Sequence, residues 1–249
     1  MKYLNEILIE WNDSDIEDNG IVKSSDVRKK ISNKKLFIVN DIKFNMIRIP
    51  DTDWMIGETP VTMGLWEKVV STDAERHTTY SNPWGIYRKY DPLYPVCNVS
   101  YNDCVYFINE LNSIFETSNF DIMPGWLWAK AFKEGGIKLP GEESVDIADD
   151  QDEDYTGMLE KYGWFGGDGI GIKEVATKSP DNLGIYDMIG NVWEICSSDD
   201  FSPLFFGGSC ETDFSMFMSP GSYPFVGFKA QSKYTREDDT GFRLAYKIE

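Results

Sequence analysis

The chain has 249 residues, with 24 Lys and Arg against 42 Asp and Glu, a formal net charge of -18, four cysteines and one histidine. So negative a chain is unsuited to tracking a phosphate backbone or an anionic bilayer, because both need clustered cations to displace counterions. With 41% hydrophobic and 14% aromatic residues it can bury a sizeable core, which excludes general disorder, and its length fits one domain with appendages.

Residues 1–35 are polar and charged, with an acidic run Asp13-Ser14-Asp15-Ile16-Glu17-Asp18 ahead of a basic one around Arg28-Lys29-Lys30. They read as an arm, a candidate docking segment for a homo-oligomer or a larger assembly, with the folded domain spanning 36–249. No secretion signal is expected after Met1, since the apolar stretch there is broken at Glu10. No run is long and apolar enough for a membrane-spanning helix, so membrane insertion is not expected. A cytoplasmic or virion location with reduced, mostly buried thiols follows as the expectation.

Short apolar runs at Leu36-Phe37-Ile38-Val39 and Met46-Ile47-Arg48-Ile49, bounded by Asn40-Asp41 and Pro50, predict two strands joined by a turn. Thr62 is positioned to cap a helix carrying Leu65, Trp66, Val69 and Val70, and Ser100 with Asp103 three residues on has the pattern of a capping box. Behind that second cap, Cys104, Phe107, Ile108 and Leu111 recur at i, i+3, i+4 and i+7. This spacing predicts an amphipathic helix over 100–114 and gives Cys104 a core role. A shorter helix is predicted from Trp126 to Phe132, ended by Gly135-Gly136.

Residues 141–155 are mostly acidic, carry no apolar period and lack the spacing of an EF-hand, so they read as a loop of solvated charge. At the end of the chain, Phe242, Leu244, Tyr246 and Ile248 alternate with Arg243, Ala245 and Lys247, which predicts a half-buried strand. Helices early, irregular loops in the middle and strands at both ends predict an α+β fold whose ends meet in one sheet.

Candidate chemistry is limited by residue counts. His77, the single histidine, lies in the polar stretch Glu75-Arg76-His77-Thr78-Thr79 and reads as a surface residue. Three-histidine and HExxH metal sites need more imidazoles than the chain owns. Cys97, Cys104, Cys196 and Cys210 show no CxxC spacing, so neither a zinc knuckle nor a thioredoxin-type motif is indicated.

Five segments, in order, carry a family resemblance: Ile56-Gly57-Glu58-Thr59-Pro60-Val61-Thr62-Met63-Gly64-Leu65-Trp66-Glu67; Pro95-Val96-Cys97-Asn98-Val99-Ser100-Tyr101-Asn102-Asp103-Cys104; Asn182 to Glu194, which reads NLGIYDMIGNVWE; Gly207-Gly208-Ser209; and Gly241-Phe242-Arg243-Leu244-Ala245. Together they resemble the family of the formylglycine-generating enzyme, or sulfatase-modifying factor, over about residues 44–248. The resemblance implies a C-type lectin-like fold with two helices, short twisted antiparallel strands and long irregular loops. It also implies a calcium ion held by Asn191 and Glu194 with nearby backbone carbonyls, oxygen donors of the kind a hard cation takes. The bland alternative for Glu194 is a buried carboxylate hydrogen-bonded to backbone amides.

The departures from the family bear on chemistry. Enzymes of the family that make formylglycine bind copper through two cysteines placed after the GGS motif, and soft thiolates suit copper(I). Here Cys210 follows Ser209 directly and no further cysteine comes before Glu249. The family's iron-dependent sulfoxide synthases use three histidines, which this chain lacks. No cofactor other than calcium is therefore expected.

Two readings of function stay open. The first is a binding or structural module that recognises a protein or glycan through C-terminal loops, as a phage virion or cell-surface receptor-binding protein. The resemblance supports it, because relatives of this fold, including hypervariable proteins diversified by retroelements, display ligand-binding loops there. Phe205, Phe206, Phe214, Phe217, Met218, Tyr223, Phe225 and Tyr234 are the candidate ligand-binding residues. Aromatic and Met side chains on loops give large, adaptable contact area, although the same residues can fill a core beneath loops. The second reading is a divergent metal- or thiol-dependent oxidoreductase, with Cys210 and Ser209 as candidate catalytic residues and Cys196 nearby.

Overall fold

The computed structural model describes residues 33–70, 90–139, 157–166, 171–198, 203–218, 227–229 and 232–248. Strands β1 (Lys34–Val39) and β2 (Ile42–Arg48) form the expected hairpin, with Val39 paired to Ile42 across Asn40-Asp41. Asn40 takes the positive φ of 55° in that reversal, a conformation asparagine tolerates better than most side chains. β3 (Trp54–Gly57) follows, then helix α1 (Met63–Val70), whose Leu65 N–H donates to Thr62 Oγ1 at 3.2 Å.

Helix α2 (Tyr101–Ile114) begins on the capping box read from the sequence. Asp103 N–H donates to Ser100 Oγ at 3.2 Å, and Ser100 N–H donates back to Asp103 Oδ2 at 2.8 Å. Each bond satisfies an amide that the first helical turn leaves without a partner. After β4 (Phe120–Ile122), helix α3 (Gly125–Gly135) ends on Gly136, whose φ of 71° is the left-handed stop that glycine adopts without penalty.

The C-terminal part holds β5 (Trp193–Ser197), β6 (Pro203–Phe206), a short helix α4 (Ser215–Met218), β7 (Gly227–Lys229), β8 (Thr240–Phe242) and β9 (Leu244–Lys247). One sheet has the order β1-β2-β3-β9-β4 and is antiparallel throughout. The second has the order β7-β6-β5-β8, in which β5 and β8 run parallel. Met55 pairs with Tyr246, so the two ends of the domain meet in one sheet as expected.

Alternation along the central strands explains where the cores lie. Met46, Met55, Leu244 and Tyr246 join one core with α1 and α2, whereas Ile47, Ile56 and Ala245 join another with Leu127, Trp128, Ala131 and Phe132 of α3. Successive strand residues face opposite sides. The five-stranded sheet is therefore packed on both faces, between α1 and α2 on one side and α3 on the other.

This packing corrects the sequence reading of the terminal strand. It is two strands, not one, because β8 belongs to one sheet and β9 to the other. Arg243 is the single residue between them, and both Arg243 and Ala245 are fully buried. A half-buried strand was expected because the alternation puts a charge on the second face, but that charge is neutralised inside the fold.

Candidate functional site

The segment 181–192 has little regular structure and leads into β5; it is held by backbone bonds, such as Tyr186 N–H to Glu58 O and Gly190 N–H to Gly207 O, and by buried side chains. Its centre is Arg243. The guanidinium Nη2 donates to Glu194 Oε1 at 2.6 Å, and Nε donates to both Glu194 oxygens at 3.0 and 3.1 Å. The remaining donors reach backbone carbonyls: Nη1 to Gly57 O at 2.9 Å, and Nη2 to Tyr186 O at 2.7 Å and to Asp187 O at 3.3 Å. Trp128 Nε1 on α3 completes the set by donating to Glu194 Oε2 at 2.8 Å. One ion pair thus ties β3, α3, β5 and the loop to the junction of the two sheets. A fixed, planar fork of donors is what arginine supplies and lysine cannot.

Asn191 and Asp187 hold the neighbouring loop. Asn191 Oδ1 accepts from Lys173 N–H at 3.0 Å and its Nδ2 donates to Lys173 O at 3.3 Å. Asp187 Oδ2 accepts from Ala176 N–H at 2.8 Å, while Asp187 Oδ1 is buried with no hydrogen-bond partner among the described residues. Burial pushes the Asp187 carboxyl up to about 6, against the opposing pull of the Ala176 amide and the Arg243 charge, with Glu194 adding to the rise. Asp181 is also raised, chiefly by burial, although the N–H groups of Leu183 and Ile185 donate to its Oδ1.

Gly190 shows why this loop needs glycine. Its φ is 71°, and a side chain there would run into the Trp164 carbonyl, whose oxygen accepts from the Asn191 N–H at 2.7 Å.

Both residues of the calcium pair have partners within the chain. Both Glu194 oxygens are occupied by Arg243 and Trp128, so a cation would have to displace a buried guanidinium. Both polar ends of the Asn191 side chain are bonded to Lys173. The geometry assigns Glu194 to a structural ion pair and Asn191 to a loop clamp. The partners of Glu194 are an arginine and an indole, rather than the backbone amides of the bland alternative.

Around the GGS motif, Ser209 Oγ donates to Asp239 Oδ2 at 2.5 Å and accepts from Glu211 N–H at 3.2 Å. Cys210 is fully buried and shares a small cluster with Met63, Cys97, Ile172 and Val192, while Cys196 belongs to the α3 core. Burial pushes the Cys196 thiol well up, away from the thiolate. Cys210 and Cys196 thus lie in separate clusters. The cysteine pair that the family places after the motif is not made by this chain, so its residues do not fit that copper centre.

The eight candidate ligand-binding residues divide. Phe206 is buried against Trp128, with ring centroids 5.1 Å apart, so it packs the core and does not face a ligand. Phe205 is half-buried against the α1/α2 core, and Phe214 stacks on Phe165 at 6.0 Å. Tyr234 is 76% exposed. Phe217 and Met218 lie on α4, whose first turn exposes Met216. Tyr223 and Phe225 fall outside the described residues, as do His77, the acidic stretch 141–155 and residues 1–32 of the arm.

Tyr234 stands on a loop that is fastened at several points. Arg236 Nε and Nη2 donate to Asp103 Oδ2 and Oδ1 at 2.7 and 2.9 Å, so the acid that caps α2 also anchors the loop. Asn98 N–H donates to Glu237 O, Asn102 N–H to Lys233 O, and Trp193 N–H to Asp239 O. Ser209 holds the Asp239 side chain from the other direction. Sequence reasoning identified Asp103 only as a cap and took Arg243 for an outward residue. The missed signal at Arg243 was its setting, a charge between Phe242 and Leu244 and followed by a small Ala245.

Two sheets joined through a buried arginine, three principal helices and long side-chain-fastened loops define the class, a C-type lectin-like α+β scaffold. The sulfatase-modifying factor enzyme 1-like domain matches residues 40–248, and the chain belongs to that family. Solved structures similar to it include Treponema denticola variable protein 1, at 20% identity and a TM-score of 0.62, covering 87% of this chain and 99% of that one. CarF is similar at 19% identity and a TM-score of 0.52, over 79% of this chain and 87% of its own. PvdO from Pseudomonas aeruginosa is similar at 18% and 0.52, over 78% and 80%. A comparison with curated proteins gives no match.

Proposed function

We propose that the chain is a non-catalytic binding module of the family, which recognises a protein or glycan partner through the loops between β6 and β8. The observation that carries this reading is Tyr234, an aromatic side chain 76% exposed on a loop held by the Asp103–Arg236 ion pair and by backbone bonds to residues 98, 102 and 193. A large exposed ring on a fixed loop loses little entropy when it meets a partner, and tyrosine is enriched among the residues that dominate binding. Exposed Met216 on α4, in the same stretch of chain, adds adaptable apolar surface. The variable protein among the similar structures favours this reading by its name alone. Display on a virion or a cell surface is the setting such a module suits.

An oxidoreductase reading has less support. Cys210 is withdrawn from solvent, and Cys196 lies in a different core with its thiol pushed up. Thiol chemistry needs an accessible thiolate.

Glycan-array and cell-envelope binding with the full chain, compared with Tyr234→Ala, Phe217→Ala and Tyr223→Ala, tests the proposal. Loss of binding with unfolding midpoints unchanged is expected in at least the Tyr234 variant. Binding that survives all three changes overturns the assignment of this surface. Bound copper or iron in protein purified without added metal, or rapid alkylation of Cys210 in the folded state, would favour the enzyme instead.

A further inference from the structure

Beside the β1–β2 hairpin the five-stranded sheet leaves a cavity that reaches its core. β3 pairs with β2 only at Met46, Ile47 and Arg48, and after Gly57 the chain bends away toward α1. Its last bond to β2 runs from Glu58 N–H to Asn45 O at 2.9 Å. Asn45 thus turns its backbone groups to the β3 side, and by the alternation of an antiparallel ladder the N–H and C=O of Lys43 point the same way. Asn45 is taken by Glu58, and on the other side of Lys43 the strand ends at Ile42 and the Asn40-Asp41 turn. The open edge is therefore one residue long. Among the described residues, neither backbone group of Lys43 has a hydrogen-bond partner on that side.

The space that Lys43 faces has a volume of about 470 Å³ and is lined by Ile42, Phe44, Val61, Leu65, Leu93 and Leu244 among others. Val61, Leu65 and Leu244 are buried members of the α1/α2 core, whereas Leu93 is 55% exposed and forms part of the rim. Small-molecule sites commonly enclose about 300–1,000 Å³, with apolar walls and a few converging polar groups.

The polar groups at this cavity select the ligand's chemistry. Glu58 lines it, but its Oε1 accepts from the Lys34 ammonium at 2.7 Å and its Oε2 from Asn45 Nδ2 at 2.7 Å, so the carboxylate is already compensated and does not call for a cation. What stays open is one neutral donor and one neutral acceptor on a single residue. Their complement is the N–H and C=O of one other residue, the pairing that two opposed residues of an antiparallel ladder make. A longer peptide gains no further ladder bond, because the next position is occupied.

We propose that this cavity binds a small neutral amide the size of one blocked aliphatic amino acid. Its N–H donates to Lys43 O, its C=O accepts from Lys43 N–H, and its side chain lies among Val61, Leu65 and Leu244. The site is separate from the Tyr234 surface and does not depend on it.

A nuclear magnetic resonance titration of the full chain with N-acetyl-L-leucinamide tests this. Two further ligands are compared: N-acetylglycinamide, which lacks the side chain, and the leucine analogue with oxygen in place of the acetamido N–H. Saturable shifts are expected at the Lys43 amide and at the Leu65 and Leu244 methyls, with both comparison ligands at least about tenfold weaker. Leu93→Asp at the rim should weaken binding, and Tyr234→Ala should leave it unchanged. No saturable shift at these three residues up to the solubility limit overturns the proposal. An oxygen analogue that binds equally well overturns the pairing with Lys43, and equal binding of the glycine compound overturns the role of the apolar wall. Loss of the titration in Tyr234→Ala overturns the separation of the two sites.

Discussion

Arg243 is the residue whose loss should be felt most widely. In Arg243→Met the flexible thioether fills part of the space, but Glu194 keeps only the Trp128 donor, and the carbonyls of Gly57, Tyr186 and Asp187 lose their partner. Removing one member of a fully buried pair costs about 3–5 kcal/mol, because the other charge stays buried without compensation. Each carbonyl left unpaired adds about 1 kcal/mol or more. The sum rivals the whole stability of an ordinary domain, about 5–15 kcal/mol, so this variant should be largely unfolded or strongly destabilised. Glu194→Gln keeps the shape and leaves the guanidinium its three carbonyls, and should fall at the lower end, about 3 kcal/mol. In Glu194→Gln/Arg243→Met neither charge of the pair remains buried, so its loss should be less than the two single losses added, with a coupling of about 1–3 kcal/mol. Urea unfolding followed by fluorescence measures all three, with midpoints compared at constant slope. An Arg243→Met loss below about 1 kcal/mol, or simple additivity, would refute the claim that this pair holds the junction together.

Asp187 sets a pH dependence. Its carboxyl rises from 3.8 to about 6 on folding, so between those values the folded state holds more protons than the unfolded state and stability falls as pH rises through the window. At most about 3 kcal/mol is involved, and Asp187→Asn should flatten this part of the pH profile in thermal melts; an unchanged slope would remove the argument. Gly190→Ala forces a side chain onto a backbone at φ 71° and into the Trp164 carbonyl, so a loss of at least about 2 kcal/mol is expected in the same urea assay. Asp103→Asn preserves a capping side chain but removes the ion pair with Arg236, so amide exchange should accelerate over residues 232–239 while α2 stays protected.

Local signals were readable where the physics is local. Thr62, Ser100 with Asp103, and Gly135-Gly136 fixed the ends of three helices because caps and stops act within a few residues. Leu65 to Val70 and Cys104 to Leu111 fixed the buried faces by spacing. What the sequence hid is what depends on distant partners. Arg243 meets Glu194 and Gly57 across 49 and 186 positions of chain, and an alternating strand does not reveal that both its faces are covered. Phe206 and Tyr234 looked alike as loop aromatics, yet one fills the core and the other stands in solvent. Composition cannot separate them, because an aromatic suits both settings.

The family signature deserves a physical reading for the same reason. Asn182 to Glu194 and Gly241 to Ala245 meet in one buried network, with Glu194 paired, Asn191 clamping a loop and Gly190 making room for a carbonyl. A chain can therefore keep the signature for the sake of the scaffold while the residues after the GGS motif change, and a single buried cysteine now stands there. Membership in the family thus specifies how the loops are held. What the loops do depends on the side chains they present, which under the proposed function are Tyr234 and its neighbours rather than the buried Cys210.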